Sequence, residues 1–350
     1  MNLQMVAAEG QPFLTSGVTG IGGRIKVSPE DFRVEERPLY LPCGDGEHLY
    51  VRITKRGLST PDLVLRLSSV LGVKVKGIGV AGLKDAQAVT TQMVSLHGIP
   101  EDKLSRIRID EQLLSMDILG RHRNRLRKGH HAGNTFHLKV RDVSSDAATT
   151  VPEVLRELQC RGVPNYFGPQ RQGRRGLNYQ TGAQLLTDPV RRNRMGKSQR
   201  IWYLHAYQSY IFNRLLGSRI DRIDSVLLGD WAMKHENGAC FQVTDPAIEQ
   251  PRANRFEISP TGILFGSRAP WASGEPGAIE RAVVSNCGVT PEGLSEAGAE
   301  CGFRGERRAF RVRLDDVAWS LDQSTLSLSF SLPPGAYATS ILRELMKLPE

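Results

Sequence analysis

The sequence predicts an α+β protein: a mainly antiparallel, mixed-sheet domain built from both ends of the chain and interrupted by an inserted α/β domain. Three observations predict it. A length of 350 residues favours two domains over one or three. Segments with strand alternation lie before residue 162 and resume near residue 310, whereas the stretch between them is rich in Arg, Gly, Asn and Gln. Few strand–helix–strand crossovers of adequate length appear, which favours antiparallel pairing. The expected boundaries are 1–161 with 312–350 for the discontinuous domain, and 162–311 for the insert.

The elements follow in order. Residues 48–54 alternate, with Leu49, Val51 and Ile53 on one side and Tyr50, Arg52 and Thr54 on the other, as a half-buried strand does. Thr60-Pro61-Asp62 reads as an N-cap, a proline at the first helical position and an acid near the positive helix end. Leu63, Leu67 and Leu71 follow at helical spacing, so a helix of about three turns is expected. Residues 92–96 and 135–141 return to strand character, with Phe136, Leu138 and Val140 opposing His137, Lys139 and Arg141. A helix is expected over 152–160, ending near Gly162, and another around 205–216. Leu326, Leu328, Phe330 and Leu332 alternate with serines before the turn signal Pro333-Pro334-Gly335. Ile341 and Leu345, with Leu342 and Met346, close the chain on a helix.

Composition narrows the function classes. Hydrophobic residues make up 40% and charged ones 24%, which suits a folded chain and excludes wholesale disorder. No apolar run approaches the ~18 residues of a transmembrane helix. Residues 1–16 lack a basic region followed by a long apolar one, so a cytoplasmic location is expected rather than secretion. Cys43, Cys160, Cys240, Cys287 and Cys301 are scattered and form no C-x-x-C pair, which argues against a disulfide framework or a zinc site. The formal net charge is +9. Much of the positive charge sits in four runs, 121–131, 171–175, 191–200 and 304–313, which hold a single acid, Glu306. Such runs repel themselves unless a polyanion neutralises them, so nucleic acid is the expected partner.

Two motifs tempt and fail. Gly77, Gly79 and Gly82 match G-x-G-x-x-G, but a strand-like segment follows Gly82 where a helix should open, so a nicotinamide or flavin site is not expected. Gly196-Lys197-Ser198 resembles the end of a phosphate-binding loop, yet Arg191 stands where that loop needs its first glycine. His122, His130 and His131 have no i, i+4 partner or cysteine cluster to complete a metal shell and read as basic surface.

The segment from Val80 to Gln92 carries the chemistry: Asp85 follows Lys84 in a Gly-rich turn between two apolar stretches. From composition alone, a turn aspartate bonding its own backbone is the better reading. The segment resembles the signature of the tRNA pseudouridine synthase D family, in which an Asp in a G-x-K-D-x-x-A-x-T context is the nucleophile. Further blocks agree in order. Lys26-Val-Ser-Pro-Glu30-Asp31-Phe32-Arg-Val-Glu-Glu36 is similar to its K-x-x-P-E-D-F-x-V-x-E block, and Gly133-Asn134-Thr135-Phe136 to its G-N-x-F block. Val163-Pro164-Asn165-Tyr166-Phe167-Gly168-Pro169-Gln170-Arg171-Gln172-Gly173 resembles P-N-Y-F-G-x-Q-R-F-G. Leu264-Phe265-Gly266 with Gly274-Glu275, and Pro334-Gly335-Ala336-Tyr337-Ala338-Thr339-Ser340 with Leu342-Arg343-Glu344-Leu345, extend the resemblance to residue 345. Gln172, Ala86 and Tyr337 depart from the common Phe, basic residue and Phe.

The resemblance implies a discontinuous pseudouridine synthase catalytic domain and an isomerase that converts uridine to pseudouridine in tRNA, with uridine 13 as the family's target. It implies Asp85 as nucleophile, Lys26 as its ion-pair partner, and Phe32, Asn134, Phe136 and Tyr337 as lining for the uracil, with Phe136 stacking on it. Attack at C6 of the base and action at C1′ are both compatible with it. Taken from the residues alone, Lys26 is equally a strand-end lysine, Phe136 a core residue and Asn134 a turn residue. Arg171, Arg174 and Arg175 are expected to meet the RNA backbone. An isomerisation needs no cofactor or metal, and a monomer is expected. The rival readings are a non-catalytic RNA-binding protein, which would need no Asp85, and a nucleotide-dependent oxidoreductase.

Overall fold

The computed structural model describes residues 11–173 and 176–348 and has two compact units. One comprises Ile21–Thr149 and Leu314–Ala336; the other comprises Thr150–Arg313 with the described residues before Ile21 and after Ala336. The first run of chain supplies strands β1 (Gly22–Ile25), β2 (Phe32–Pro38) and β3 (His48–Arg56), helix α1 (Thr60–Leu71), then β4 (Ile78–Val80), β5 (Val89–His97), β6 (Leu113–His122) and β7 (His131–Val143). The middle run supplies α2 (Ala147–Arg161), β8 (Val163–Pro164), α3 (Asn178–Thr187), α4 (Pro189–Arg194), α5 (Lys197–Ser218), β9 (Trp231–Lys234), β10 (Cys240–Gln242), α6 (Pro246–Asn254) and β11 (Ile258–Leu264). It continues through α7 (Gly274–Asn286), α8 (Pro291–Glu300), β12 (Glu306–Ala309) and β13 (Arg311–Val312) before β14 (Asp315–Asp322), β15 (Thr325–Leu332) and α9 (Ala338–Met346).

The first unit is one nine-stranded sheet in the order β14-β15-β7-β2-β5-β3-β6, with β1 on β7 and β4 on β5. Its pairings are antiparallel except β2 with β5. The fold is thus α+β with mostly antiparallel sheets. Alternation on β3 sends Leu49, Val51 and Ile53 into a core with Leu63, Leu67 and Leu71 of α1 and Val94 and Leu96 of β5. Tyr50 is also fully buried, against Ala81, Met93 and Leu126, so this part of the sheet is covered on both sides. The glycines that mimic a dinucleotide motif have a packing reason: a Cβ on Gly79 would stand 2.4 Å from the Leu126 carbonyl oxygen. Gly82 opens no helix, since the chain turns from β4 into the antiparallel β5.

The helix at 60–71 forms as expected but is capped one residue earlier, because the Ser59 side chain accepts the Asp62 amide. The Thr60 hydroxyl is engaged elsewhere: it donates to Gln92 Oε1 at 2.9 Å and accepts the Lys84 amide at 2.8 Å.

The second unit centres on α5, which packs Leu204, Tyr207 and Ile211 against Leu185, Phe265, Val284 and Leu294. Its strands pair antiparallel in the order β10-β9-β11-β12, with β8 and β13 forming a separate pair. The division differs from the expected one at both ends. Most of α2, and all of α9, group with the middle of the chain. Helix α9 is tied there by Glu344, whose carboxylate accepts the amides of Leu14 at 3.1 Å and Thr15 at 3.0 Å, and by Arg343, which lies 5.3 Å from the Tyr166 ring. An amphipathic helix shows in sequence that one face is buried, not which layer buries it.

The run at 304–313 also departs from its expected role as polyanion surface. Arg307 is buried and pairs with Glu280 at 2.6 Å; Arg311 is buried and donates to Ser259 Oγ, the Arg161 carbonyl and the Ala253 carbonyl. These arginines brace the core, and a count of charges cannot see their partners. No helix among the described residues is long and apolar enough to cross a membrane.

Candidate active site

The site is built on one face of the sheet. Strand period two puts Phe32, Val34 and Glu36 of β2 on the same side. Register aligns them with Leu138, Phe136 and Asn134 of β7, and Phe330 and Leu332 of β15 continue the rows from Phe136 and Asn134. On the other flank, Val34 aligns with Thr90 of β5, and Thr90 with Lys55 of β3. Gly133 allows β7 to approach β15 so closely, since a Cβ there would meet the Leu332 carbonyl oxygen at 2.3 Å, and its φ of +149° suits only glycine.

Asp85 lies on the loop that joins β4 to β5. Its Oδ1 accepts the Gln87 amide at 2.9 Å, so the local turn bond is present, and its Oδ2 accepts from the Lys26 ammonium. Lys26 reaches it from the residue after β1, with a left-handed backbone at φ +54°. The Lys26 ammonium also sits 4.4 Å above the Phe32 ring. Burial works to raise the Asp85 carboxyl, but the Lys26 hydrogen bond, the Gln87 amide and the charges of Lys26 and Lys55 hold it below the ordinary carboxylate range. The carboxylate is ionised and keeps 41% of its side-chain exposure, so a reactant can reach it.

Phe32 meets Phe136 edge-on at 6.4 Å, and Phe136 stacks on Phe330 at 5.4 Å with planes 29° apart. Phe136 is 7% exposed, so one aromatic face is committed to the core. Asn134 Oδ1 is buried and has no protein hydrogen-bond partner. Five of the residues expected at the site, Lys26, Phe32, Asp85, Asn134 and Phe136, thus share one unit. Tyr337 and Arg171 belong to the other. There Tyr337 precedes α9, and the Arg171 guanidinium lies 5.3 Å from the Phe167 ring. Arg174 and Arg175 lie outside the described residues.

Sequence reasoning missed the layer beneath Asp85. Lys84 is buried and pairs with Glu36 at 2.7 Å, while Glu36 accepts the Met93 amide at 3.1 Å. His131 is half-buried, not basic surface: burial, then the Lys84 charge, lowers its pKa against the pull of Glu36. Lys55 is entirely buried. The signal for Glu36 and Lys55 was available: each is a charged residue at the inward parity of an alternating strand.

Comparison with known proteins gives one family. The family model described as tRNA pseudouridine synthase D matches residues 9–195 and 193–345. The tRNA pseudouridine synthase D of Syntrophotalea carbinolica is 40% identical, over 96% of this chain and 98% of that protein. That of a Thermus thermophilus strain is 43% identical, over 97% and 93%. The crystal structure of the putative tRNA pseudouridine synthase D from Methanosarcina mazei superposes with a TM-score of 0.83 at 26% identity, covering 98% of each chain.

Proposed function

The chain belongs to the tRNA pseudouridine synthase D family, and from that premise we propose that it isomerises uridine to pseudouridine in tRNA with Asp85 as nucleophile, at uridine 13. The observation that carries the reading is the accessible Asp85 carboxylate, ion-paired to Lys26 beside an aromatic wall and an unpartnered amide oxygen.

The reaction breaks the bond from ribose C1′ to uracil N1, turns the base over and joins C1′ to C5, whose proton is then lost while N1 gains one. Its atoms balance without an external reagent. A carboxylate can attack and later leave, splitting one hard step into easier ones. Attack at C6 of the base and attack at C1′ both require it ionised. Lys26 favours that state, as a cation beside a carboxylate does. The uracil must leave its stack to expose these atoms. Phe136 and Phe32 offer it an aromatic face, and Asn134 Oδ1 can accept from its N3–H. Tyr337 is assigned to the uracil pocket on family resemblance, and Arg171, Arg174 and Arg175 to the tRNA backbone on the positive charge of the 171–175 run. The unit of Ile21–Thr149 and Leu314–Ala336 is then the catalytic one.

Asp85→Asn tests this. It keeps the size and the turn bond but is a poor nucleophile and leaving group. Tritium release from C5-labelled uridine in unmodified tRNA should vanish in single turnover while tRNA affinity holds. Near-normal release would show that the carboxylate is not the nucleophile. Undiminished binding with release abolished also separates the enzyme from a non-catalytic RNA-binding protein.

A further inference from the structure

The 121–131 run covers the turn between β6 and β7, and its cations divide by what they touch. Arg121 faces Glu101 at 3.8 Å and donates to the Ile99 carbonyl, and Arg123 pairs with Asp45 at 2.8 Å. Arg125 donates to the Ile78 carbonyl at 2.6 Å. Arg127 and Lys128, at the tip, are exposed, and among the described residues neither meets a carboxylate. The turn is fastened on both sides of that tip to the elements that lead to and from Asp85. Before the tip, Leu126 is buried with Tyr50, Ala81 and Met93, and its amide donates to Ser95 Oγ at 3.0 Å. After it, the Gly129 amide donates to the Ala81 carbonyl at 2.8 Å. Ala81 stands four residues before Asp85, a length of chain that spans at most ~14 Å. The turn also has an aromatic flank: Tyr40 stacks on His122 at 5.0 Å, and its hydroxyl meets His130 Nδ1 at 2.8 Å.

We infer that the tip of this turn is a binding site for the tRNA backbone beside the nucleotide being isomerised, with Arg127 and Lys128 each taking a phosphate. The inference rests on the proposed function for the position of the target uridine, next to Asp85. Two adjacent cations without an anion repel each other until a polyanion neutralises them, and each phosphate so neutralised releases counterions. The guanidinium can hold a phosphate through two N–H bonds, while the lysine ammonium acts as a point charge. Tyr40, His122 and His130 are partly exposed, and rings beside cations are the combination on which unpaired nucleotides stack. Anchorage gives the tip its place in the reaction. Arg123 and Arg125 brace the turn and leave the two tip cations for the ligand. A phosphate held there is tied, through Leu126 and Gly129, to the segment that carries Asp85.

Arg127→Gln combined with Lys128→Gln tests this, made in the Asp85→Asn background so that tRNA binding is read without turnover. Both positions are exposed, so the melting temperature should not change. Affinity for unmodified tRNA should fall about tenfold at about 150 mM salt, and the slope of log affinity against log salt should flatten by about two, one for each phosphate let go. Hydroxyl-radical footprinting should show backbone protection lost next to the uridine that the wild-type enzyme isomerises and kept elsewhere. Unchanged affinity and slope would overturn the inference. So would a loss of protection confined to nucleotides remote from that uridine. Asp85→Asn assayed alone separates the two readings: if it stays active, the nucleophile is elsewhere, while the affinity and slope still report whether the tip holds phosphate.

Discussion

Lys26 holds its backbone at φ +54°, a conformation that costs a non-glycine residue on the order of 1–2 kcal/mol. The side chain this backbone delivers ends on Asp85 and above the Phe32 ring. Strain kept at one residue that points a cation at the proposed nucleophile is what a functional constraint leaves behind. Asparagine tolerates the left-handed region but brings no charge. Lys26→Asn should therefore melt at the wild-type temperature or slightly above it, while single-turnover pseudouridine formation drops by at least about a hundredfold. A clear loss of thermal stability would mean that the ion pair supports the fold more than the reaction. Legibility at this scale was uneven. Phe136 was visible as an alternating residue and Asp85 as a turn residue, but their pairing with Phe330 and Lys26 joins positions far apart in sequence. Residue types and spacing carried no sign of those pairs; the family resemblance implied the Lys26–Asp85 pair, and the Phe136–Phe330 stack came only with the structure. Lys55 and Glu36 put a charge at the inward parity of their strands, and Glu36 and Lys84 also stand in the family blocks, but nothing in the sequence joins Glu36 to Lys84.

The loop that bears Asp85 is fastened by three elements, not by its own turn alone. Helix α1 holds the Lys84 amide through Thr60, β5 holds Thr60 through Gln92, and β2 holds the Lys84 ammonium through Glu36. The side chains of the Glu36–Lys84 pair are 0% and 5% exposed, so the pair matters most when one partner is removed. Glu36→Gln keeps an acceptor for the Met93 amide but strands the Lys84 charge. It should cost roughly 3–5 kcal/mol in urea unfolding, and adding Lys84→Met should recover a good part of that. A single variant as stable as wild type would show that Lys84 finds another anion or solvent. The elements themselves were legible: each expected strand and helix lies within an observed one. The N-cap was misread by one residue because the Thr60 hydroxyl serves the loop. The allegiance of α2 and α9 was misread because amphipathic spacing names no partner.

Across the whole molecule, the positive charge divides between buried ion pairs and exposed positions, and the sequence does not distinguish them. Arg219 pairs with Asp230 at 2.9 Å and Arg307 with Glu280 at 2.6 Å, both buried, while Arg192 pairs with Glu300 and Arg123 with Asp45. Those arginines belong to the protein's own electrostatics. Arg191, Arg194 and Lys197 differ: they are exposed on α4 and at the start of α5, with no carboxylate in the run. A tRNA substrate would release counterions from each phosphate that such a residue neutralises. Replacing Arg191, Arg194 and Lys197 with glutamine should leave thermal stability unchanged. It should also flatten the slope of log affinity against log salt by about one for each phosphate no longer neutralised, read between about 50 and 200 mM. Arg307→Met should do the opposite. Burial already raises the Glu280 carboxyl against the pull of Arg307, so stranding it should cost about 3–5 kcal/mol of stability and leave the salt slope of the folded protein as it was. If the triple variant keeps the wild-type slope, the 191–200 run faces solvent and the tRNA backbone lies elsewhere.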